Sequence, residues 1–179
     1  LAFNTIGIEP QNWLFATVDA LIGTSIADEQ PAATQAYILD SNVEAAGAIE
    51  LSAISDASIY GKVINPARAV KLDASEGGSS GTTGVSIGAV IAMNKISTDV
   101  KAYIDGADVA QAAAGDIVLH AEDASSIVAL VDASSLVISA STQKATAVSV
   151  GLSISRNVIR ADTQAYLTDT TAKAQAGSI

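Results

Sequence analysis

The stretch that decides the fold is VSIGAVIAMNKISTDVKAYI at residues 85–104, which recurs without gaps as VSVGLSISRNVIRADTQAYL at residues 148–167. Nine of the 20 aligned positions are identical, where composition alone would give roughly one or two. The identities include Asn94 with Asn157 and Tyr103 with Tyr166. A repeat of this length predicts an array in which similar units pack side by side.

A third copy lies upstream in two pieces. The first piece is LAFNTI at 1–6, which matches IAMNKI at 91–96. The second is QAYILDSNVEAAGAIELSAISDASI at 35–59, which matches KAYIDGADVAQAAAGDIVLHAEDASSI at 101–127. We therefore expect one array cut from a longer protein, with copies at 1–84, 85–147 and 148–179. The first copy carries an insertion at 7–34, and the last copy is truncated.

Short β-type runs fill each copy, separated by Gly, Asp, Asn and Ser. Ile49, Leu51 and Ala53 alternate with Glu50 and Ser52, which predicts a strand with one buried face. The nearly continuous apolar run at 85–93 predicts a strand covered on both faces. The pattern favours an all-β fold, a β-solenoid (parallel β-helix) with about 20 residues per coil and so about three coils per repeat. The alternative is a series of tandem β-sandwich domains, although aromatic residues that would anchor such cores make up only 4% of the chain.

Composition excludes several classes of function. The chain has 19 acidic and 9 basic residues, a formal charge of −10, which should repel nucleic acid. It has no run of about 18 apolar residues, so we expect no membrane insertion. It has no cysteine, which excludes disulfides and thiolate metal sites.

The insertion predicts a short helix over residues 11–22, QNWLFATVDALI. Leu14, Val18 and Leu21 share one face of that helix, with Ile22 beside them. The helix could pack on the flank of the solenoid or cover one of its ends. Alternatively, Trp13 and Phe15 are candidate contacts with a partner or a neighbouring chain.

We predict no catalytic, cofactor-binding or metal-binding residues. His120 is the only histidine and aligns with Ser52, so an outward-facing polar position explains it better than a catalytic or zinc site. Aspartates recur near predicted turns, where their side chains bond nearby backbone amides; calcium bridging is the alternative. These aspartates are Asp40, Asp99, Asp105, Asp108, Asp162 and Asp169.

Two further motifs have structural interpretations. The glycine-rich stretch at 75–84 lacks a Gly-Lys-Ser/Thr and predicts a flexible loop. Asn4, Asn94 and Asn157 each begin an N-x-I signature. Because copies three coils apart would not touch, we expect these asparagines to bond turn or backbone groups instead of forming an amide ladder.

The composite motif is VSVG, then N-x-I, then D-x-x-AYI, a short turn and A-GDI-L-A with a serine-rich run. It resembles repeats in very large secreted bacterial proteins of the leukotoxin-type filamentous adhesin group, akin to filamentous haemagglutinins. The resemblance covers the chain apart from the insertion and carries no catalytic residues. It implies a β-solenoid stalk on a bacterial cell surface or in a matrix.

Two functions follow as hypotheses. The first is a structural and adhesive rod segment, not an enzyme, whose partners are neighbouring repeats, copies of itself or surface glycans. The second is a polysaccharide-binding or polysaccharide-cleaving β-helix. Cleavage of that kind needs paired carboxylates, for which Asp105 and Asp108 are the nearest candidates.

Overall fold

A computed structural model describes residues 2–7, 30–73, 82–141 and 145–179. These residues form β-strands and no helix, which confirms the all-β prediction. The predicted helix at 11–22 lies outside the described residues. The strands are β1 (Ala2–Ile6), β2 (Ala32–Leu39), β3 (Val43–Ala45), β4 (Ile49–Ser55), β5 (Ser58–Ile64), β6 (Ala67–Asp73), β7 (Thr82–Asp105), β8 (Ala110–Ala112), β9 (Ile117–Asp123), β10 (Ser126–Asp132), β11 (Ser135–Ser141), β12 (Ala145–Thr168) and β13 (Ala172–Ala174).

Every sheet among these residues joins strands from different repeat copies. Strand β7 lies between β1 and β12 and also pairs with β2, while β5 pairs with β10. The pairs β2–β7, β3–β8, β4–β9, β6–β11 and β8–β13 are parallel. A string of sandwich domains would instead pair strands within each copy.

The register of the sheets shows how much chain separates one strand from its neighbour. Ala172 lies opposite Ala110, and Ile117 lies opposite Ile49. In both pairs the chain runs through one whole repeat between the two partners, so corresponding strands of successive copies pair. The prediction of about three coils per repeat is wrong, because strands one third of a repeat apart are not the ones that pair.

The chain divides into two compact units, and each contains residues of all three copies. Unit 1 comprises Leu1–Asn4, Tyr60–Asn94 and Val128–Asn157. Unit 2 comprises Thr5–Ile59, Lys95–Ile127 and Val158–Ile179. Consequently, the sequence repeat and the compact unit divide the chain differently.

Unit 2 contains an aliphatic core. In β4, Ile49, Leu51 and Ala53 are buried while Glu50 and Ser52 are exposed, which confirms the predicted alternation. Burying alternate side chains of a strand gives its sheet one apolar face. The other buried members of this core are Val100, Ala102, Ile104, Ala107, Ala110, Ala112 and Ile117.

In unit 1, small side chains lie between β7 and the layer that faces it, which is formed by β6 and the β10–β11 connection. The inward positions of β7 include the buried residues Gly84, Ser86 and Gly88. A Cβ added at Gly88 would lie only 2.9 Å from the carbonyl oxygen of Ser134, so glycine permits close approach of the two backbones.

The large side chains at the start of the same strand point outward. Val85 is 54% exposed and Ile87 is 68% exposed. The prediction that residues 85–93 are covered on both faces is therefore wrong. Because Ser86 and Gly88 occupy the narrow interior, Val85 and Ile87 take the outer side of the strand there, whereas Val90 further along faces inward.

Candidate functional site

A row of asparagine side chains joins the three copies in unit 1. Asn4 Nδ2 donates a hydrogen bond to Asn94 Oδ1 at 2.8 Å, and Asn94 Nδ2 donates one to Asn157 Oδ1 at 2.8 Å. Asn94 is 2% exposed, so both of its bonds are shielded from water. A Cβ added at Gly61 would lie 3.1 Å from Asn94 Oδ1, so the glycine leaves room for the row.

The asparagine row corrects the prediction of a turn or backbone-bonding role. The copies are adjacent in the sheet, and neighbouring strands lie about 4.8 Å apart, within reach of an amide ladder. Both bonds in the row point the same way. Asn4 Oδ1 and Asn157 Nδ2 make no hydrogen bond with other described residues, so each end of the row has an unused acceptor or donor.

A row of tyrosine rings joins the three copies in unit 2. The Tyr37 and Tyr103 rings stack with centroids 5.4 Å apart, and the Tyr103 and Tyr166 rings with centroids 5.0 Å apart. Tyr37 lies opposite Tyr103 in the parallel register of β2 and β7. Burial raises the pKa of the Tyr103 hydroxyl, and the neighbouring Tyr166 and Tyr37 raise it further.

Three aligned residues, one from each copy, lie at the same corner of the repeat. Asp40, Gly106 and Asp169 have φ values of 47°, 68° and 47°, a left-handed conformation that glycine and aspartate tolerate best. The amide of Asp40 donates to the carbonyl of Asp105 at 2.9 Å. The turn prediction is therefore confirmed for Asp40 and Asp169.

Other predicted turn aspartates lie within strands. Asp99, in β7, accepts a hydrogen bond from Lys101 Nζ at 2.8 Å. Asp162, in β12, accepts hydrogen bonds from Gln164 at 2.9 and 3.1 Å. The turn prediction is wrong for both residues, because the strand continues through the aspartate and its carboxylate instead bonds a side chain two residues later.

Asp123 is the last residue of β9 and lies at a polar corner of unit 2. Its carboxylate accepts hydrogen bonds from the Thr98 hydroxyl and from the Ser125 amide, the latter at 2.8 Å. Burial acts to raise the pKa of Asp123, but hydrogen bonds from Ser125 and Thr98 outweigh it and lower the pKa below the usual value. The ionised carboxylate therefore stabilises the corner between β9 and β10.

The remaining candidate residues do not form a reactive cluster. His120 lies opposite Ser52 and is exposed, as predicted, and its Nε2 lies 3.2 Å from Glu122 Oε2. Asp105 ends β7 half-buried, and Asp108 is exposed. The described part of the chain has no group of three or more His, Cys, Asp or Glu side chains arranged to hold a metal ion.

Two predicted features fall in parts of the chain without described structure. Trp13 and Phe15, the candidate partner contacts, lie outside the described residues. Of the predicted glycine-rich loop at 75–84, only residues 82–84 are described, and they belong to β7. Within the described ranges, no helix is long and apolar enough to cross a membrane.

Sequence reasoning missed the exposed apolar side chains of unit 1. In β6 and β11, Val70, Leu72, Leu136 and Ile138 are 49–72% exposed. A signal was present in SSLVISA, because Leu136 and Ile138 share one face of a strand while Ser135 and Ser139 share the other. Alternation alone does not say which set faces inward.

Comparison with known proteins does not assign this fold to a family. No protein-family model, curated protein or solved structure matches the chain.

Proposed function

We propose that this chain is a structural and adhesive repeat segment of an extracellular bacterial surface or matrix protein, folded as a β-solenoid. In this proposal one 63–66-residue repeat makes one coil, so corresponding strands of successive copies stack on one another. The pairing of corresponding strands from successive copies supports this arrangement. The resemblance of the repeat motif to filamentous adhesins supports the extracellular setting.

The observation that carries the proposal is the continuity of two side-chain rows through all three copies. Asparagine amides and tyrosine rings recur at the same register in each copy. Stacked identical side chains make each added copy form the same contacts as the last. A sequence that builds such rows is suited to support load and to present a surface repeatedly, and needs no enclosed site.

A further copy would extend both rows. Asn157 Nδ2 is available to donate to the next asparagine, and β12 has β7 as its single sheet neighbour among the described strands. The edge of β12 that no described strand pairs offers backbone amides and carbonyls to another parallel strand. Partners of this edge would be neighbouring repeats or a copy of the chain.

The decisive experiment lengthens the array from within. Extra copies of residues 85–147 are inserted after residue 147, which preserves the repeat register. We expect the dimension along the stacking direction, perpendicular to the strands, to grow by about 4.8 Å for each inserted copy, the spacing between strands. Separate sandwich domains would add roughly 25 Å or more for each copy. Small-angle scattering and electron microscopy of the series distinguish the two.

The adhesive part of the proposal needs its own measurement. Glycan-array binding and a bacterial-surface binding assay, compared across the same length series, should show signal that increases with copy number. Release of reducing ends from a polysaccharide would overturn the structural assignment in favour of a carbohydrate-cleaving β-helix.

A further inference from the structure

Among its described residues, unit 1 carries an apolar surface that is exposed to solvent. We define the apolar face as Val70, Leu72, Val128, Leu130, Leu136 and Ile138, on β6, β10 and β11. These residues are 49–72% exposed. Val70 lies opposite Ile138 in the parallel register, whereas Leu136 lies opposite Arg68 and Leu72 opposite Ala140, so one apolar row of this face continues from one copy to the next.

A second apolar surface lies on the opposite side of unit 1. The inward residues of β7 approach β6 and the β10–β11 connection, as the position of Gly88 against Ala67 and Ser134 shows. The outward residues of β7 and β12 therefore form the other surface. Val85, Ile87, Val150 and Leu152 on that surface are 49–68% exposed. Unit 1 is thus a thin double layer with apolar side chains on both outer sides.

Charge is distributed unevenly between the two units. Among the described residues, unit 1 has four basic and two acidic side chains, a net charge of +2, while unit 2 has four basic and twelve acidic side chains, a net charge of −8. Exposed charges on the strands of the apolar face and on the adjoining β5 include Lys62, Arg68 and Asp132. Because like charges keep acidic surfaces apart, two copies can approach through unit 1 with little repulsion.

We propose that the apolar face of unit 1 is a lateral assembly surface, on which the apolar face of a second copy of this chain packs sheet against sheet. Opposed sheets pack about 10 Å apart by interdigitating their side chains. The six residues expose on the order of 600 Å² in one copy, so a pair buries about 1,200 Å², near the lower limit for specific interfaces. Two faces of this size form a weak pair, which strengthens as repeats add further rows.

Because unit 1 has apolar side chains on both outer sides, a second copy of this chain fits the apolar face better than a lipid surface does. A membrane would cover one outer surface of unit 1 and leave the opposite one in water. Copies packing on both sides cover both surfaces, and they need no excess of basic side chains around the apolar residues. Packing on both sides also predicts species larger than dimers.

The test is sedimentation velocity of the full chain from about 1 to about 200 μM, at low and high salt. We expect concentration-dependent dimers and larger species, favoured by salt, because salt screens the net charge of −10. Val70→Glu with Ile138→Glu should raise the dissociation constant by about tenfold or more. Val70→Thr with Ile138→Thr, which retains β-branched residues, should raise it in the same direction if the glutamate variant does not fold.

Ile54→Glu is the matched control, because Ile54 lies in unit 2 and is 57% exposed. It should leave the dissociation constant within about twofold. A wild-type chain that stays monomeric throughout, or a control that weakens association equally, overturns the inference. Binding to vesicles of phosphatidylglycerol and phosphatidylcholine without self-association overturns it in favour of a lipid partner.

The inference rests on the proposed function, but the two fail separately. An array that grows by about 4.8 Å for each copy and remains monomeric refutes lateral packing alone. An array that grows by the width of a domain refutes the solenoid itself.

Discussion

Asn94 offers the sharpest test of the repeat stacking, because it is the central member of the asparagine row. It accepts from Asn4 and donates to Asn157, each at 2.8 Å, and is 2% exposed. Replacing it with alanine removes both hydrogen bonds at once. Replacing either neighbour removes one.

The magnitude follows from the number of bonds lost. A hydrogen bond contributes about 1 kcal/mol net to stability, so Asn94→Ala should lower the free energy of unfolding by about 2 kcal/mol. Asn4 and Asn157 are exposed, so their freed groups can bond water. Asn4→Ala should cost about 1 kcal/mol. For a chain of this size, a loss of about 2 kcal/mol lowers Tm by roughly 4–8 °C.

Urea unfolding followed by circular dichroism measures these losses, and a double-mutant cycle between positions 4 and 94 isolates their coupling. Asn94→Asp adds a pH test. The new carboxylate would face the side-chain amide oxygen of Asn157 and be partly desolvated. The folded-state pKa of this carboxylate should therefore be raised. A raised acid pKa makes folding favour the protonated form, so this variant should recover stability relative to wild type as the pH falls from about 7 toward about 4.

Three results would refute the reasoning. Asn94→Ala could remain within about 0.5 kcal/mol of the wild type, or it could cost no more than Asn4→Ala. The difference between Asn94→Asp and wild type could also be independent of pH. Any of these would mean that the asparagine row does not hold the copies together.

Three other residues give further tests. Gly88→Ala should cost about 1–3 kcal/mol in urea unfolding, because its Cβ would lie 2.9 Å from a backbone carbonyl oxygen, whereas the outward change Ala89→Val should stay within about 0.5 kcal/mol. Tyr103→Leu should remove both ring stacks and weaken the tyrosine signal in near-ultraviolet circular dichroism, whereas Tyr103→Phe should retain the stacking. An unchanged spectrum for the leucine variant would argue against the tyrosine row. Because the pKa of Tyr103 is raised in the fold, Tyr103→Phe should also lose less stability than wild type as the pH rises through about 10, the unfolded value. Burial opposes ionisation of Asp123, but its hydrogen bonds outweigh burial and lower the pKa. Asp123→Asn should therefore be less stable than wild type at pH 7. In unfolding measured as a function of pH, the difference in stability between the two proteins should shrink as the pH falls below about 4.

Local sequence patterns predicted much of the secondary structure. The alternation at Ile49, Leu51 and Ala53 correctly identified a half-buried strand, because a strand places successive side chains on opposite faces. The match of Ser52 with His120 correctly predicted an outward position. Asp40 and Asp169 correctly marked turns.

The apolar run at 85–93 shows where local patterns fail. Large and small residues alternate at its start, from Val85 to Gly88, and either set could face inward. Which set of side chains faces inward depends on the distance between β7 and the layer opposite it. At Gly88 the backbone of the opposite layer is too close for a larger residue, so the neighbouring Val85 and Ile87 face outward.

The sequence by itself determined the period of the repeat, its β-strand character and the corners at Asp40 and Asp169, because these depend on residue types within a few positions of one another. Tertiary structure alone decided which strands pair. The same period is compatible with several short coils or one long coil, since both bring equivalent residues back to the same face. Pairing across one whole repeat places each asparagine and tyrosine beside its counterpart, and this adjacency turns a sequence repeat into continuous rows of side chains.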